Sequence, residues 1–132
     1  MSAKPADPTR GLVLAAIGTA LHAGFVLSLF VLYIWFVPAR KKTFDEFGLA
    51  LPWLTQTVIR VSSWIAEYWW ATVPLLAFLG VGNFGLLVWL GRHGLFAKLW
   101  IAGVSLVLVA LVVVTLGAME LPMMKLKEGL AK

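Results

Sequence analysis

Three long apolar runs constrain the fold of this 132-residue chain more than any other feature. They occupy residues 12–37, 69–90 and 99–119, and none of them contains Asp, Glu, Lys or Arg. A helix of about 20 apolar residues crosses the hydrocarbon core of a bilayer. Charged residues make up only 13% of the chain, about half of what a soluble domain carries. The sequence therefore predicts an all-α integral membrane protein with three transmembrane helices.

Short polar segments separate these spans and complete a single membrane domain. A polar tail, residues 1–11, precedes the first span. Pro38 is expected to end that span and to begin a linker over residues 38–51. The seven-residue turn GRHGLFA joins the second and third spans, and so short a turn predicts an antiparallel hairpin. Residues 120–132 are predicted to form a C-terminal tail.

Residues 52–68 are predicted to form an amphipathic helix that lies in the membrane interface. Apolar side chains recur every three or four residues, which places them along one stripe of a helix: Leu54, Val58, Val61, Ile65 and Tyr68. The opposite stripe is polar, with Gln56, Arg60, Ser63 and Glu67. Pro52 fits the first turn, where its missing N–H is not needed. A helix with these two faces is typical of segments at the bilayer surface.

Tryptophan residues cluster near the predicted ends of the spans, where their amphipathic rings favour the headgroup region. Those expected to anchor the chain at the interface are Trp35, Trp53, Trp64, Trp69, Trp70 and Trp89. The formal net charge of +5 suits the anionic headgroups of a lipid bilayer. Nothing in the sequence indicates a nucleic-acid partner.

Small residues in two spans predict close helix packing. They are Ala16, Ala20 and Gly24 on the first span and Gly80 and Gly85 on the second. Such surfaces pack either against another helix of the same chain or against a partner subunit. Asn83 is polar within hydrocarbon, so we expect it to hydrogen-bond a neighbouring helix.

His22 is the one ionisable residue deep within a span. An ionisable side chain at that depth is a functional hypothesis by default. Its imidazole can ligate the metal of a tetrapyrrole, or it can form a hydrogen bond across a helix interface. The sequence requires no cofactor. It has no cysteine, no paired carboxylates, no histidine cluster and no phosphate-binding glycine loop, so a non-enzymatic role is predicted.

The order of motifs around the amphipathic helix is specific. The first span ends in FVP, the linker holds two phenylalanines and a glycine, LPWLT opens the helix, and MELP follows the third span. This order resembles the membrane portion of the inner-membrane platform (F-type) proteins of type II secretion and type IV pilus systems. The matching residues are Val37, Pro38, Phe44, Phe47, Gly48, Leu51, Pro52, Thr55, Ser62, Trp69, Trp70, Leu121 and Pro122.

The resemblance implies a platform role in a bacterial inner membrane, in contact with other subunits of a hetero-oligomeric complex. Members of the family also carry cytoplasmic helical domains before the first span and between the second and third. This sequence has an 11-residue tail and a seven-residue turn in those places. The resemblance covers roughly residues 25–130, and it implies an architecture more than an activity.

Membrane orientation is predicted differently by charge and by the resemblance. The face with the amphipathic helix carries seven basic residues and the opposite face carries four. The positive-inside rule therefore places the amphipathic helix in the cytoplasm. The resemblance places it on the periplasmic side.

These observations predict a non-enzymatic scaffold subunit of a larger membrane complex. The alternative is an accessory subunit of a photosynthetic or respiratory complex that binds a tetrapyrrole, a quinone or a lipid near His22. The two hypotheses differ in what the chain should carry with it, either secretion components or redox and pigment-binding subunits.

Overall fold

Helices account for nearly all of residues 8–130, which a computed structural model describes. They are α1 (Pro8–Val31), α2 (Val37–Glu46), α3 (Trp53–Glu67), α4 (Trp69–Leu90) and α5 (Gly94–Leu130), and the π-helical segment Leu32–Phe36 joins α1 to α2. No strand occurs in this range. Three helical stretches are long and apolar enough to cross a membrane: Thr9–Glu46, α4 and α5. The prediction of an all-α membrane protein with three spans is confirmed.

The three spans differ in length, and this difference shapes the molecule. The 22 residues of α4 extend about 33 Å, close to the ~30 Å of a hydrocarbon core. The 37 residues of α5 extend about 56 Å. Helices α1 and α4 lie close enough that a side-chain carbon at Gly91 would come within 3.0 Å of Gly11 Cα. At the other end, α2 and the last turns of α5 continue past α4 and meet α3.

The first span does not end at Pro38, contrary to the prediction. A π-helical turn widens the helix just before this proline, and the N–H of Val37 donates to the carbonyl of Leu32, five residues earlier. Pro38 then lies in the first turn of α2, where a missing N–H is tolerated. The predicted linker over residues 38–51 is therefore helical as far as Glu46. Gly48, with φ of 58°, follows the helix end as a left-handed glycine commonly does.

Other predicted boundaries need smaller corrections. Helix α1 begins at Pro8, so four residues of the predicted tail are helical, and residues 1–7 lie outside the described part. Helix α5 runs from Gly94 to Leu130, well beyond the predicted span 99–119, because its last turns pack against α2 and α3. The turn before it shortens to residues 91–93. The bounds of α3 and α4 agree with prediction to within one residue.

Helix α3 supplies the hydrogen-bond donor that Pro122 removes from α5. A proline lacks the N–H that pairs the carbonyl four residues earlier, which here is the carbonyl of Ala118. The hydroxyl of Thr55 donates to that carbonyl at 2.6 Å, and the Thr55 side chain is fully buried. A helix break inside an apolar environment is tolerated when a neighbouring side chain re-satisfies the freed backbone group. This contact explains why α5 continues through Pro122.

A second hydroxyl of α3 does the same for the first span. Because Val37 donates to Leu32 in the π-helical turn, the carbonyl of Tyr33 would next pair with residue 38, which is a proline. The hydroxyl of Ser62 donates to the Tyr33 carbonyl instead. Thr55 and Ser62 are two helical turns apart, so they share one face of α3. Helix α3 therefore crosses both long spans at the level of their prolines.

A small hydrophobic core lies beneath α3. Its buried members come from α2, α3 and α5: Val37, Phe44, Val58, Ile59, Ala118 and Met119. The hydroxyl of Tyr33 and the hydroxyl of Thr115 lie 3.0 Å apart beside it, and Arg40 pairs with Glu120 at 3.2 Å. This core holds the ends of the first and third spans together.

The packed face of α3 coincides only in part with the predicted apolar stripe, through Val58 and Leu54. Thr55, Val58, Ile59 and Ser62 face inward, whereas Val61 and Tyr68 of the predicted stripe are exposed. The two proline carbonyls need hydroxyl donors, and this need turns the hydroxyl-bearing face inward. The four residues of the predicted polar stripe are all exposed. Helix α3 thus has a packed face, a polar face and an outward apolar face.

Candidate functional site

The predicted tryptophan anchors all lie on the surface. Trp35, Trp53, Trp64, Trp69, Trp70 and Trp89 are each more than half exposed. The first five belong to the end of the molecule where α3 meets the long spans, and Trp89 lies at the opposite end of α4. Five of the six predicted anchors therefore lie beside α3, at the end of the described residues where the sequence predicts a bilayer interface.

The small residues singled out on the first span face outward. Ala16, Ala20 and Gly24 are all exposed, and Ser28 continues the same four-residue spacing with an exposed side chain. We call this set, residues 16, 20, 24 and 28, the α1 ridge. A side-chain carbon at Gly24 would meet nothing within 4 Å. The residues that pack inside the chain lie on another face, at Ala15, Gly18 and His22.

Gly80 and Gly85 do not form close helix contacts within the described chain either. A side-chain carbon at either position would meet no atom within 4 Å. In contrast, one at Gly18 would come within 2.6 Å of Ile101 Cδ1, which makes Gly18 the glycine where α1 and α5 approach closely. Gly18 is not among the small residues that the sequence predicts to pack closely.

A hydrogen-bonded chain of side chains joins the three spans. Trp100 of α5 donates its Nε1–H to Asn83 Oδ1 at 3.1 Å. Asn83 of α4 in turn donates from Nδ2 to Thr19 Oγ1 of α1 at 3.4 Å. Asn83 therefore bonds both neighbouring spans. Interhelical bonds of this kind stabilise membrane helix bundles modestly.

Replacing Asn83 by leucine removes both bonds, and we expect the free energy of unfolding to fall by about 1 kcal/mol, since an interhelical bond contributes about 0.6 kcal/mol on average. An SDS titration in mixed micelles, followed by tryptophan fluorescence, measures this change. Ser28→Ala is the matched control, because the Ser28 hydroxyl donates only to the Gly24 carbonyl of its own helix. Equal stabilities of the two variants would contradict the prediction.

His22 lies at the same depth, with its ring buried between α1 and α5. Only 6% of the residue is exposed. Its Nε2 is 3.3 Å from the carbonyl oxygen of Ile101. Because a carbonyl oxygen only accepts, Nε2 carries the hydrogen, and Nδ1 of a neutral ring then presents a lone pair. Nδ1 is buried and has no hydrogen-bond partner within residues 8–130.

A cleft of about 200 Å³ opens beside this ring, between α1, α4 and α5. Thr19, His22 and Asn83 supply its polar atoms, and the other walls are aliphatic or glycine. Ala23 and Leu79 at the rim are exposed, so the cleft faces the lipid side of the bundle. The residues at depth therefore form an apolar cleft beside one buried, unpaired acceptor.

The cleft is too small to enclose a tetrapyrrole, so a macrocycle ligated by His22 would lie largely outside it. Sites that enclose drug-sized ligands measure about 300–1,000 Å³, and a macrocycle needs more room than the cleft's 200 Å³. The Nε2 atom is also occupied by the Ile101 carbonyl. No group of three or more His, Asp or Glu side chains in residues 8–130 could hold a metal ion.

Two polar partners in the spans are not distinguished by the sequence pattern. Trp100 falls within the third apolar run, although its indole N–H requires a partner when buried. Thr115 carries no clear signal, because a threonine in a span can bond its own helix, as it does to the Leu111 carbonyl. Its second contact, with the Tyr33 hydroxyl, joins distant parts of the chain.

Comparisons with protein-family models, with curated proteins and with solved structures find no match to this chain.

Proposed function

We propose that the chain is a non-enzymatic scaffold subunit of a larger membrane complex, similar to the membrane portion of the secretion and pilus platform proteins. The outward direction of the α1 ridge carries this proposal. The sequence left open whether Ala16, Ala20 and Gly24 pack within the chain or against a partner, and all three residues are exposed on the outer surface of the described helices.

Flat strips of small residues favour helix association in membranes because they let backbones approach closely. The ridge spans residues 16–28, about 18 Å of helix, which suits a crossing partner helix. The contacts of α3 are a second supporting feature. Its Thr55 and Ser62 hydroxyls bond both long spans, and spans held in fixed positions present their outer faces in a defined arrangement.

Gentle solubilisation from native membranes, followed by mass spectrometry of every co-migrating chain and cofactor, tests the proposal. The wild-type chain is expected to migrate in an assembly larger than itself. Gly24→Leu places a bulky side chain on the ridge, and we expect co-migrating chains to fall about tenfold or more, as at a central contact worth above 1.4 kcal/mol.

Gly82→Leu is the matched control. Gly82 and Gly24 are both exposed, and an added side-chain carbon meets nothing within 4 Å at either position. The control should retain the assembly and both variants should be made at wild-type levels. A wild-type chain that migrates alone, or an assembly that survives Gly24→Leu, would refute the scaffold role.

The identity of the co-migrating chains decides between the two kinds of complex. Pilin-like proteins or an assembly ATPase support the platform role and a bacterial inner-membrane location. Cytochromes or pigment-binding subunits support the accessory role in a bioenergetic complex. The unpaired Nδ1 of His22 supports the accessory role only for a ligand smaller than a tetrapyrrole, because the cleft is too small to enclose a tetrapyrrole.

A further inference from the structure

We propose that the cleft beside His22 binds the hydroxylated aromatic ring of a membrane-soluble hydroquinone, with a ring hydroxyl donating to Nδ1 of His22. This ligand site goes beyond the scaffold role. Two independent observations lead to it. Nδ1 is a buried acceptor with no donor in residues 8–130, and buried polar atoms are nearly always hydrogen-bonded. Nδ1 itself is closed off from the cleft, but other atoms of the same residue line the cleft, so a small rotation of the imidazole would bring Nδ1 to a donor there.

The depth of the cleft selects the ligand class. Gly80, which lines the cleft, lies near the middle of α4, about 15 Å from either end. The headgroups of phospholipids lie outside the hydrocarbon core, so their hydroxyls do not reach His22. A charged ligand is excluded by the cost of placing an unpaired charge there. An aromatic ring with one or two hydroxyls is apolar enough to enter and polar enough to donate.

The walls of the cleft fit a ring with an apolar tail. Val26, Leu76 and Val104 line its sides, and a volume of about 200 Å³ accommodates one substituted six-membered ring. The exposed rim at Ala23 and Leu79 lets a hydrocarbon tail leave the cleft directly into lipid. The ring can therefore bind while the rest of the molecule stays in the bilayer.

Asn83 provides the contact for a second ring oxygen. Its Oδ1 accepts from Trp100 and one hydrogen of its Nδ2 is donated to Thr19. A primary amide has two such hydrogens, so one more is free to donate into the cleft that Asn83 lines. A hydroquinone, with one oxygen as donor and the opposite oxygen as acceptor, matches an acceptor at His22 and a donor at Asn83.

Calorimetric titration of the full chain in phosphatidylcholine nanodiscs tests the site. The probes are decylhydroquinone and its dimethyl ether, which keeps the ring and the tail but donates no hydrogen bond, and empty nanodiscs give the partition background. Decylhydroquinone is expected to bind at least about tenfold more tightly than the ether, because the ether leaves Nδ1 unsatisfied. Equal binding of the two probes, or no binding above background, overturns the proposal.

Variants that fill the cleft locate the binding. Gly80→Leu adds a side chain into open space at the cleft wall, and it should weaken decylhydroquinone binding at least about tenfold. Ala23→Leu closes the cleft from the α1 side and serves as a second variant. Gly85→Leu is the control, since Gly85 has similar open space but does not line the cleft. Unchanged binding in both cleft variants overturns the site.

Nitrogen NMR of labelled histidine reports the contact itself. In a His93→Gln background, purified without a histidine tag, His22 is the one imidazole, because the chain has two histidines. Decylhydroquinone should shift the Nδ1 resonance and leave the Nε2 resonance near its place, whereas the ether should shift neither.

His22→Gln keeps a donor for the Ile101 carbonyl but lacks Nδ1, and it should lose the tenfold preference for decylhydroquinone over the ether. An unchanged Nδ1 resonance overturns the proposal. The α1 ridge is not part of the cleft, so Gly24→Leu should still bind decylhydroquinone, which distinguishes this site from the scaffold role.

Discussion

Replacing Thr55 by valine and Ser62 by alanine in the same chain is expected to lower the free energy of unfolding by about 2 to 6 kcal/mol, since each unsatisfied buried carbonyl costs about 1 to 3 kcal/mol. The two hydroxyls are the donors for the carbonyls of Ala118 and Tyr33. Both carbonyls lie one turn before a proline, so no backbone donor replaces them. Helix α3 should then detach from the long spans.

Two measurements check this expectation. An SDS titration in mixed micelles gives the free energy of unfolding. Detachment of α3 is followed with a single cysteine at position 58, because the chain has no native cysteine and Val58 is only 5% exposed. A maleimide should label this cysteine slowly in the otherwise unchanged chain and much faster in the Thr55→Val, Ser62→Ala variant.

The same helix supplies a matched control. Thr57→Val with Ser63→Ala removes the same two kinds of hydroxyl, but these donate only to the carbonyls of Trp53 and Ile59 within α3. That double variant is expected to change stability by less than about 0.5 kcal/mol. If both double variants were equally stable, α3 would not depend on its two buried hydroxyls.

The spans were predictable because hydropathy acts locally. A run of residues without a charge, such as residues 99–119, must be shielded from water wherever it lies in the fold. The bounds of α4 followed from its tryptophans and those of α3 from its stripe and from Pro52. These signals are all contained within the segment that they describe.

The continuation of the helices through Pro38 and Pro122 was not predictable in the same way. The rule that proline ends a helix describes the lost N–H and says nothing of a donor elsewhere in the chain. Here the donors are Ser62 and Thr55, which lie far from the carbonyls in sequence and reach them only after folding. For the same reason the apolar stripe of α3 indicated only part of its packed face.

The candidate site was predictable in part. His22 and Asn83 drew attention because a polar side chain at depth is costly and needs a partner. Their partners could not be read from the sequence, since periodicity does not say which spans are neighbours. The outward direction of the α1 ridge could not be predicted either. A stripe of small residues indicates close packing, but it does not show whether the neighbouring helix belongs to the same chain.

The position of α3 connects the fold to the proposed scaffold role. Helix α3 bonds the long spans through two hydroxyls next to two prolines. These four residues, Thr55, Ser62, Pro38 and Pro122, are among those that carry the resemblance to platform proteins. Each proline creates an unpaired carbonyl, and each hydroxyl fills it. The four residues therefore act as two pairs, and a scaffold benefits because the relative positions of the two long spans are fixed by directional bonds in addition to apolar contact.

Pairing of this kind predicts that the Thr55→Val penalty depends on Pro122. In Pro122→Ala, residue 122 regains an N–H, which can bond the Ala118 carbonyl along the helix. Thr55→Val should then cost about 1 to 2 kcal/mol less than in the chain with proline, a coupling in the range found for residues that share one hydrogen-bond network. Stabilities of the wild type, the two single variants and the double variant measure it in one thermodynamic cycle.

The loss of the buried proline ring does not disturb this comparison. Pro122 is fully buried, so Pro122→Ala alone changes packing, but that change is present on both sides of the cycle and cancels. Thr55→Val with Pro74→Ala is the control cycle, because Pro74 is an exposed residue of α4 and lies outside the Thr55 bond. A coupling near zero in this control cycle, together with a coupling above about 1 kcal/mol with Pro122, would establish that α3 stabilises the bundle by supplying the hydrogen-bond donor that the proline lacks. Additive effects at Thr55 and Pro122 would show instead that the Thr55 hydroxyl stabilises α5 irrespective of the proline.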